Sequence, residues 1–311
     1  MTPILEFEGI YTPIITPLLP SGEFNHDALA DQVEHLVDAG VHGIISGGST
    51  GENYAQSVDE RLTLARFTQE RIAGRLPLIV GTGTMRTPDS VALASGAKEM
   101  GADAILLGTP PYAVPTEREN AQNALTIDQA ADLPIMLYNY PGRMGVNMGA
   151  EFLDHVGRSR NFCAIKESSG DINRVHLLAR EYPHIQMSCG MDDQALDFFA
   201  WGARSWVCAG SNFLPREHVA LYQTCAVEGD FDKGRQIMSA MMPLMRMLEQ
   251  GGKFVQCIKH GTTMAGIAAG GMMPPLEALN TDESHALGQV ITELKGTIES
   301  ILKPSKSRLG A

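Results

Sequence analysis

The sequence predicts an α/β protein of the (β/α)8 (TIM) barrel type with additional C-terminal helices. Three observations predict it. Eight short β-rich runs alternate with helical stretches along the chain. Several of these runs are apolar throughout, such as Ile44-Ile45, Leu78-Ile79-Val80 and Ala104-Ile105-Leu106-Leu107, as expected of parallel strands buried on both faces. The 311 residues leave room for a barrel, which takes about 250, and a helical remainder.

The first strand is expected over 9–16. Asn25-His26-Asp27 then starts a helix whose apolar positions Leu29, Val33, Leu36 and Val37 share one face, with Gly40 as its stop. After a second strand over 43–48, Ser57-Val58-Asp59-Glu60 has the form of a capping box, in which the serine and glutamate each satisfy an unpaired amide. After a third strand over 77–83, Thr87-Pro88-Asp89 sets a capping hydroxyl before a proline at the first helical position, and Gly101 ends that helix. The fourth strand, 104–109, leads to a second capping box, Thr116-Glu117-Arg118-Glu119. The remaining strands are expected over 134–140, 163–167, 186–189 and 206–209. A doubly wound sheet would place a G-x-G-x-x-G turn after the first strand, and residues 16–24 (T-P-L-L-P-S-G-E-F) are unlike one.

Beyond the last strand the chain reads as helices over 231–250, 253–269 and 284–302, with no linker before them. The expected organisation is a barrel over 1–225, a helical extension over 226–303 packed on it, and a tail over 304–311. Met238, Met241, Met242, Met245 and Met247 crowd into that extension. Their spacing suits core packing, or else an adaptable partner surface.

Composition narrows the function. Asp+Glu is 36 against Lys+Arg 24, a net charge of −12, which speaks against nucleic acid or an anionic membrane as partner. No run of apolar residues approaches membrane-spanning length, and the first twenty residues carry Pro3, Glu6, Glu8, Pro13 and Pro17 but no Lys or Arg. Neither a transmembrane helix nor a secretory start is expected. Cys163, Cys189, Cys208, Cys225 and Cys257 are odd in number and follow no ligand spacing; they read as free, buried thiols of a cytoplasmic protein. The histidines form no H-E-x-x-H pattern, so no metal is expected.

Functional residues of a barrel lie at the carboxyl ends of its strands. The second strand ends in Gly47-Gly48-Ser49-Thr50-Gly51-Glu52, read either as a nest of amides and hydroxyls for a small anion or as a glycine turn with a cap. The fifth ends in Tyr138-Asn139-Tyr140-Pro141-Gly142-Arg143. Tyr138 is a candidate proton shuttle or a rim aromatic, and Arg143 a candidate carboxylate clamp or a solvated arginine. The sixth holds the most informative residue. Lys166 ends an apolar run and is the only lysine between Lys98 and Lys233. Burial favours the neutral amine that attacks a carbonyl to form an imine; the competing reading is an ion pair with Glu167. On the same mouth stand Tyr112, after the fourth strand, and Asp192-Asp193, after the seventh, at least one of which reads as a helix cap.

Together, the motifs at 47–52, 138–143 and 165–170 (Ile165-Lys166-Glu167-Ser168-Ser169-Gly170) resemble the dihydrodipicolinate synthase / N-acetylneuraminate lyase family from about residue 9 to 300. The resemblance implies a cofactor-independent lyase or synthase, commonly a homotetramer, acting on pyruvate or another 2-oxo acid. It makes Lys166 the imine-forming lysine, Tyr138 the proton-transfer phenol, and Ser49 and Thr50 the holders of the substrate carboxylate, Ser49 also relaying protons. Tyr112 matches the tyrosine that reaches a neighbouring subunit's site in the synthase branch. Gly190 and Val207 match positions flanking the pyruvyl group. Arg143 resembles the synthase arginine that binds the carboxylate of aspartate semialdehyde, whereas Ser49-Thr50 looks more like the neuraminate lyase branch. The leading expectation is a synthase condensing pyruvate with aspartate semialdehyde. Its alternatives are neuraminate lyase, a sugar-acid aldolase, a dehydratase or deaminase using the same imine, and, remotely, a non-catalytic 2-oxo-acid-binding barrel.

Overall fold

The computed structural model describes residues 5–303; the tail expected over 304–311 lies outside them. Eight strands form one closed, wholly parallel barrel in sequence order, β1 (Gly9–Pro13), β2 (Gly43–Ser46), β3 (Leu78–Gly81), β4 (Ala104–Gly108), β5 (Ile135–Asn139), β6 (Phe162–Glu167), β7 (Gln186–Cys189) and β8 (Ser205–Val207), with β8 closing on β1. The helices are α1 (His26–Asp38), α2 (Val58–Ile72), α3 (Thr87–Glu99), α4 (Glu117–Ala131), α5 (Pro141–Met144), α6 (Ala150–Val156), α7 (Ile172–Glu181), α8 (Ala195–Ala200), α9 (Pro215–Tyr222), α10 (Phe231–Gln250), α11 (Phe254–Met264) and α12 (Thr281–Leu302). No helix among the described residues is long and apolar enough to cross a membrane.

All eight expected strands are present, several shorter than expected. The first stops at Pro13, beyond which the Ile15 amide donates to Asn212 Oδ1 (3.2 Å) instead of a neighbouring strand. Both expected capping boxes form, at Ser57/Glu60 and Thr116/Glu119. Thr87 does not cap: it is already helical, and its hydroxyl donates to Asn123 Oδ1 at 2.7 Å. The helix expected over 253–269 ends at Met264, just before Gly266 takes a φ of +97°. The one expected from 284 starts earlier, where Asn280 and Glu283 form a third capping box.

Alternation along each strand sorts side chains into two cores. Tyr11, Ile45, Ile79, Leu106, Met136, Ala164 and Val207 pack inside the barrel. Ile10, Ile44, Leu78, Ile105, Leu137 and Ile165 pack outward against the helices. The methionines of α10 join the outer core: Met238, Met241 and Met245 are buried, and Met242 and Met247 pack against it. All five cysteines are free and buried.

Candidate active site

The pleat of two adjacent strands delivers the two central side chains. A register shift opposite Ile135 and Met136 passes over Cys163, so that Met136 pairs with Ala164 and Tyr138 with Lys166. Ala164 and Met136 point inward. Two residues on, Lys166 and Tyr138 do the same. Lys166 is 8% exposed, and its Nζ lies 4.1 Å from the centre of the Tyr138 ring. The ring face attracts the ammonium but takes no proton from it. Glu167 points the other way. It pairs with Arg174 (3.3 Å) and accepts hydrogen bonds from Asn139 Nδ2 (2.9 and 3.1 Å) and the Ser169 amide (2.8 Å). The ion pair between Lys166 and Glu167 weighed from the sequence is therefore excluded by the strand's own period.

Room for the lysine comes from Gly190, just after β7. A Cβ there would collide with Ser168 Oγ and stand 2.7 Å from Lys166 Cγ and 2.9 Å from its Cε. Val207, at the end of β8, is buried inside the barrel.

Ser49 and Thr50 lie in the 3-10 turn Ser49–Gly51 that follows β2. The approach to it needs glycine twice. Gly47 has a φ of +72°, and a Cβ on Gly81 would strike the Gly47 carbonyl. The loop is fixed from behind by Arg61 of α2, whose guanidinium donates to the carbonyls of Gly81 (2.6 Å), Gly83 (3.1 Å) and Gly47 (3.3 Å). Burial lowers that guanidinium to about 10. Glu52 closes the loop from the far side. It is wholly buried, ion-paired to Lys259 of α11 at 2.6 Å, and accepts from the Met273 amide at 2.8 Å. Sequence reading found neither partner, because both lie more than 200 residues away.

The residues brought together line two joined hollows. Pro13, Ser49, Thr50, Tyr138, Arg143 and Lys166 border both, a tight one of about 30 Å³ and a wider one of about 460 Å³ opening beside it. Gly190 and Val207 border the tight one. Arg143, on α5, is exposed at this mouth and stacks on Tyr140, its Cζ 5.5 Å from the ring centre. Seven of the eight expected site residues thus converge. Tyr112 does not. It is 93% exposed at a φ of +69° and borders neither hollow.

Two acidic residues of the site escaped sequence reading in this role. Asp192 opens a 3-10 turn (Asp192–Gln194) but caps nothing. It is 2% exposed, and one oxygen accepts from Trp206 Nε1 at 2.8 Å. Glu249, near the end of α10, reaches the same tight hollow. Burial, then the charge of Glu249, pushes the Asp192 carboxyl well up. Burial likewise raises that of Glu249. A helix-borne glutamate looks in sequence like any solvated charge; only the packing of α10 against the β7 loop gives it away.

An amine buried at a barrel mouth beside a phenol and a hydroxyl loop defines a lyase of the class I aldolase type. The model of the dihydrodipicolinate synthetase family matches residues 6–294. The chain belongs to that family. It is 32% identical over 294 residues to the 4-hydroxy-tetrahydrodipicolinate synthase of Exiguobacterium sibiricum, covering 94% of this chain and 99% of that one. The structure of the corresponding synthase of Methylacidiphilum fumariolicum SolV matches with a TM-score of 0.90 at 29% identity, covering 95% of this chain and 98% of that one. A prophage protein of the same family from E. coli K12, solved in complex with pyruvate, matches with a TM-score of 0.86 at 26% identity, covering 93% and 99%.

Proposed function

We propose that the protein condenses pyruvate, held as an imine on Lys166, with an aldehyde, as a 4-hydroxy-tetrahydrodipicolinate synthase does with aspartate semialdehyde. The observation that carries this reading is Lys166 itself, buried, in no ion pair among the described residues, and set over Tyr138. The amine attacks the keto carbon, water leaves, and the protonated imine draws electrons from the adjacent methyl carbon. Loss of a proton there gives an enamine, which attacks the aldehyde carbon; water then releases the product from the lysine. Tyr138 moves these protons, and Ser49, which also relays them, and Thr50 hold the pyruvate carboxylate by hydrogen bonds. Gly190 and Val207 flank the pyruvyl group. Arg143 takes the carboxylate of the aldehyde.

Tyr112 contributes only through a second copy of the chain. This reading makes the working form a cytoplasmic homotetramer in which that tyrosine enters a neighbouring site. Its exposure supports the assignment, since a large aromatic left in water in a left-handed conformation has no role within its own subunit.

The test is reduction with borohydride in the presence of pyruvate, followed by intact mass and peptide mapping. A reduced pyruvyl adduct on Lys166 is the expected result. An adduct only with longer 2-oxo acids transfers the protein to the sugar-acid aldolase, dehydratase or deaminase branches. No adduct with any 2-oxo acid removes the imine mechanism.

A further inference from the structure

Behind the pair Tyr138 and Lys166 lies a second pair on the same two strands. Their next neighbours, Asn139 and Glu167, are also in register, but point outward from the barrel. Both are buried. Asn139 Nδ2 donates to the two Glu167 oxygens (2.9 and 3.1 Å) and to Asn147 Oδ1 (2.9 Å), and Asn139 Oδ1 accepts from the Met148 amide at 2.9 Å. Arg174 of α7, 7% exposed, closes the cluster. Its Nε donates to Glu167 Oε2 (3.3 Å) and its Nη2 to the Met148 carbonyl (2.7 Å). The chain from Asn139 to Met148 is therefore a loop whose two ends meet on one buried cluster.

That loop bears Tyr140, Arg143 and Met144, which line the mouth. None of residues 140–147 is buried, whereas Asn139, Met148 and Gly149 are. The amides of Arg143 and Met144 bond to the Tyr140 carbonyl, and that of Gly145 to the Pro141 carbonyl. Among the described residues no hydrogen bond leaves 140–146 for the rest of the protein. A loop held in this way takes its aim from its foot. Glu117 of α4 fixes the far side of that foot, accepting from the Phe152 amide at 2.9 Å where a Cβ on Gly149 would stand.

We propose that Arg174, with Asn139, is a positioning residue: by holding Met148 to Glu167 it sets where Arg143 stands over the cavity, and so the affinity for the second substrate, without touching that substrate. The assignment rests on the reading above, in which Arg143 takes the carboxylate of the aldehyde. Lysine is the informative substitution. It keeps a cation beside Glu167 but lacks the planar fork that spans the carboxylate and the carbonyl together, whereas an uncharged residue strands a buried carboxylate.

The test is a double-variant cycle of Arg174→Lys and Arg143→Ala, assayed with pyruvate and aspartate semialdehyde. Borohydride trapping of pyruvate on Lys166 and a thermal melt are the controls for folding and imine formation. In Arg174→Lys the KM for the aldehyde is expected to rise by about tenfold, since a small misplacement far from the chemistry is costly, while the KM for pyruvate changes less than about twofold. Arg143→Ala raises the same KM, and the double variant goes no further, because Arg174 acts through Arg143. Asn147→Ala loosens the foot from its exposed side without endangering the core, and is expected to give a smaller rise of the same kind. An unchanged aldehyde KM in Arg174→Lys overturns the assignment. So does an equal rise in the KM for pyruvate, and so do additive effects in the double variant; both would mark a residue that merely supports the fold. A wild-type protein that traps pyruvate but turns over no aspartate semialdehyde, or an Arg143→Ala variant with an unchanged aldehyde KM, overturns the Arg143 reading and this positioning with it. A wild-type protein that traps no 2-oxo acid overturns the imine reading itself.

Discussion

Two lysines are buried in the described part of this molecule, and they differ in everything but burial. Lys259, on α11, is 2% exposed, ion-paired to Glu52 at 2.6 Å and bonded to the Gly271 carbonyl at 2.6 Å. Burial lowers its ammonium and Glu52 works against that shift. Lys166, on β6, has an aromatic face instead of a carboxylate. The first is a satisfied charge that ties the C-terminal helices to the loop after β2. The second forms no ion pair among the described residues and borders the hollow at the barrel mouth. Under the imine reading, burial without an ion-pair partner, rather than burial alone, is what sets the reactive lysine apart.

Substitution at each position sharpens that contrast. Lys166→Ala is expected to abolish adduct formation and cut turnover by about 10⁴-fold or more, since no other amine can replace the nucleophile; steady-state kinetics and trapping measure it. Next comes Tyr138→Phe, expected to lower kcat by about 10²–10⁴-fold, the usual contribution of a positioned proton-transfer group, while an adduct still accumulates on long incubation. Lys259→Met should leave Lys166 able to trap pyruvate yet destabilise the fold by about 3–5 kcal/mol, because it strands a buried Glu52. Adding Glu52→Leu should restore much of that loss, as seen in denaturant melts of the single and double variants. A Lys259→Met protein as stable as the wild type would erase the distinction between the two lysines.

The smallest effect concerns Asp192. Its carboxyl is raised in the folded protein, so between the ordinary carboxylate range and that raised value the folded state binds more protons than the unfolded one. Its contribution is then full at low pH and lost as pH rises through the window, with a slope of at most about 1.4 kcal/mol per pH unit. Asp192→Asn should flatten the decline of stability between about pH 5 and 8 relative to wild type. Parallel stability profiles for the two proteins would show that the carboxyl is not strained.

How far the sequence discloses all this depends on how local each signal is. Lys166 was legible because a charge interrupts an apolar strand, and Tyr138 because it stands near the carboxyl end of the neighbouring one. The barrel was legible because each strand and helix start carries its own pattern, down to the capping boxes at Ser57 and Thr116. Thr87 misled because its hydroxyl found Asn123 on the next helix, a tertiary partner that no local rule predicts. Glu249 and Lys259 were illegible for a related reason. On a helix, a charged residue facing a cavity and one facing water have the same sequence signature, and only the position of α10 and α11 over the barrel mouth separates them. Asp192 and Asp193 do stand in the first turn after β7, but the Asp192 carboxylate accepts from Trp206 rather than from a turn amide.

The tie between Glu52 and the chain around Met273 spans 221 residues. A ribosome adds about 5–20 residues per second, so Glu52 emerges roughly 10–45 s before the amide that will bond it. Throughout that interval the loop after β2 exists without its clamp, while strand after strand of the barrel is still being made. The barrel mouth is thus among the last parts of the molecule to acquire its final form during synthesis, although Ser49 and Thr50, which line it, are among the first residues made.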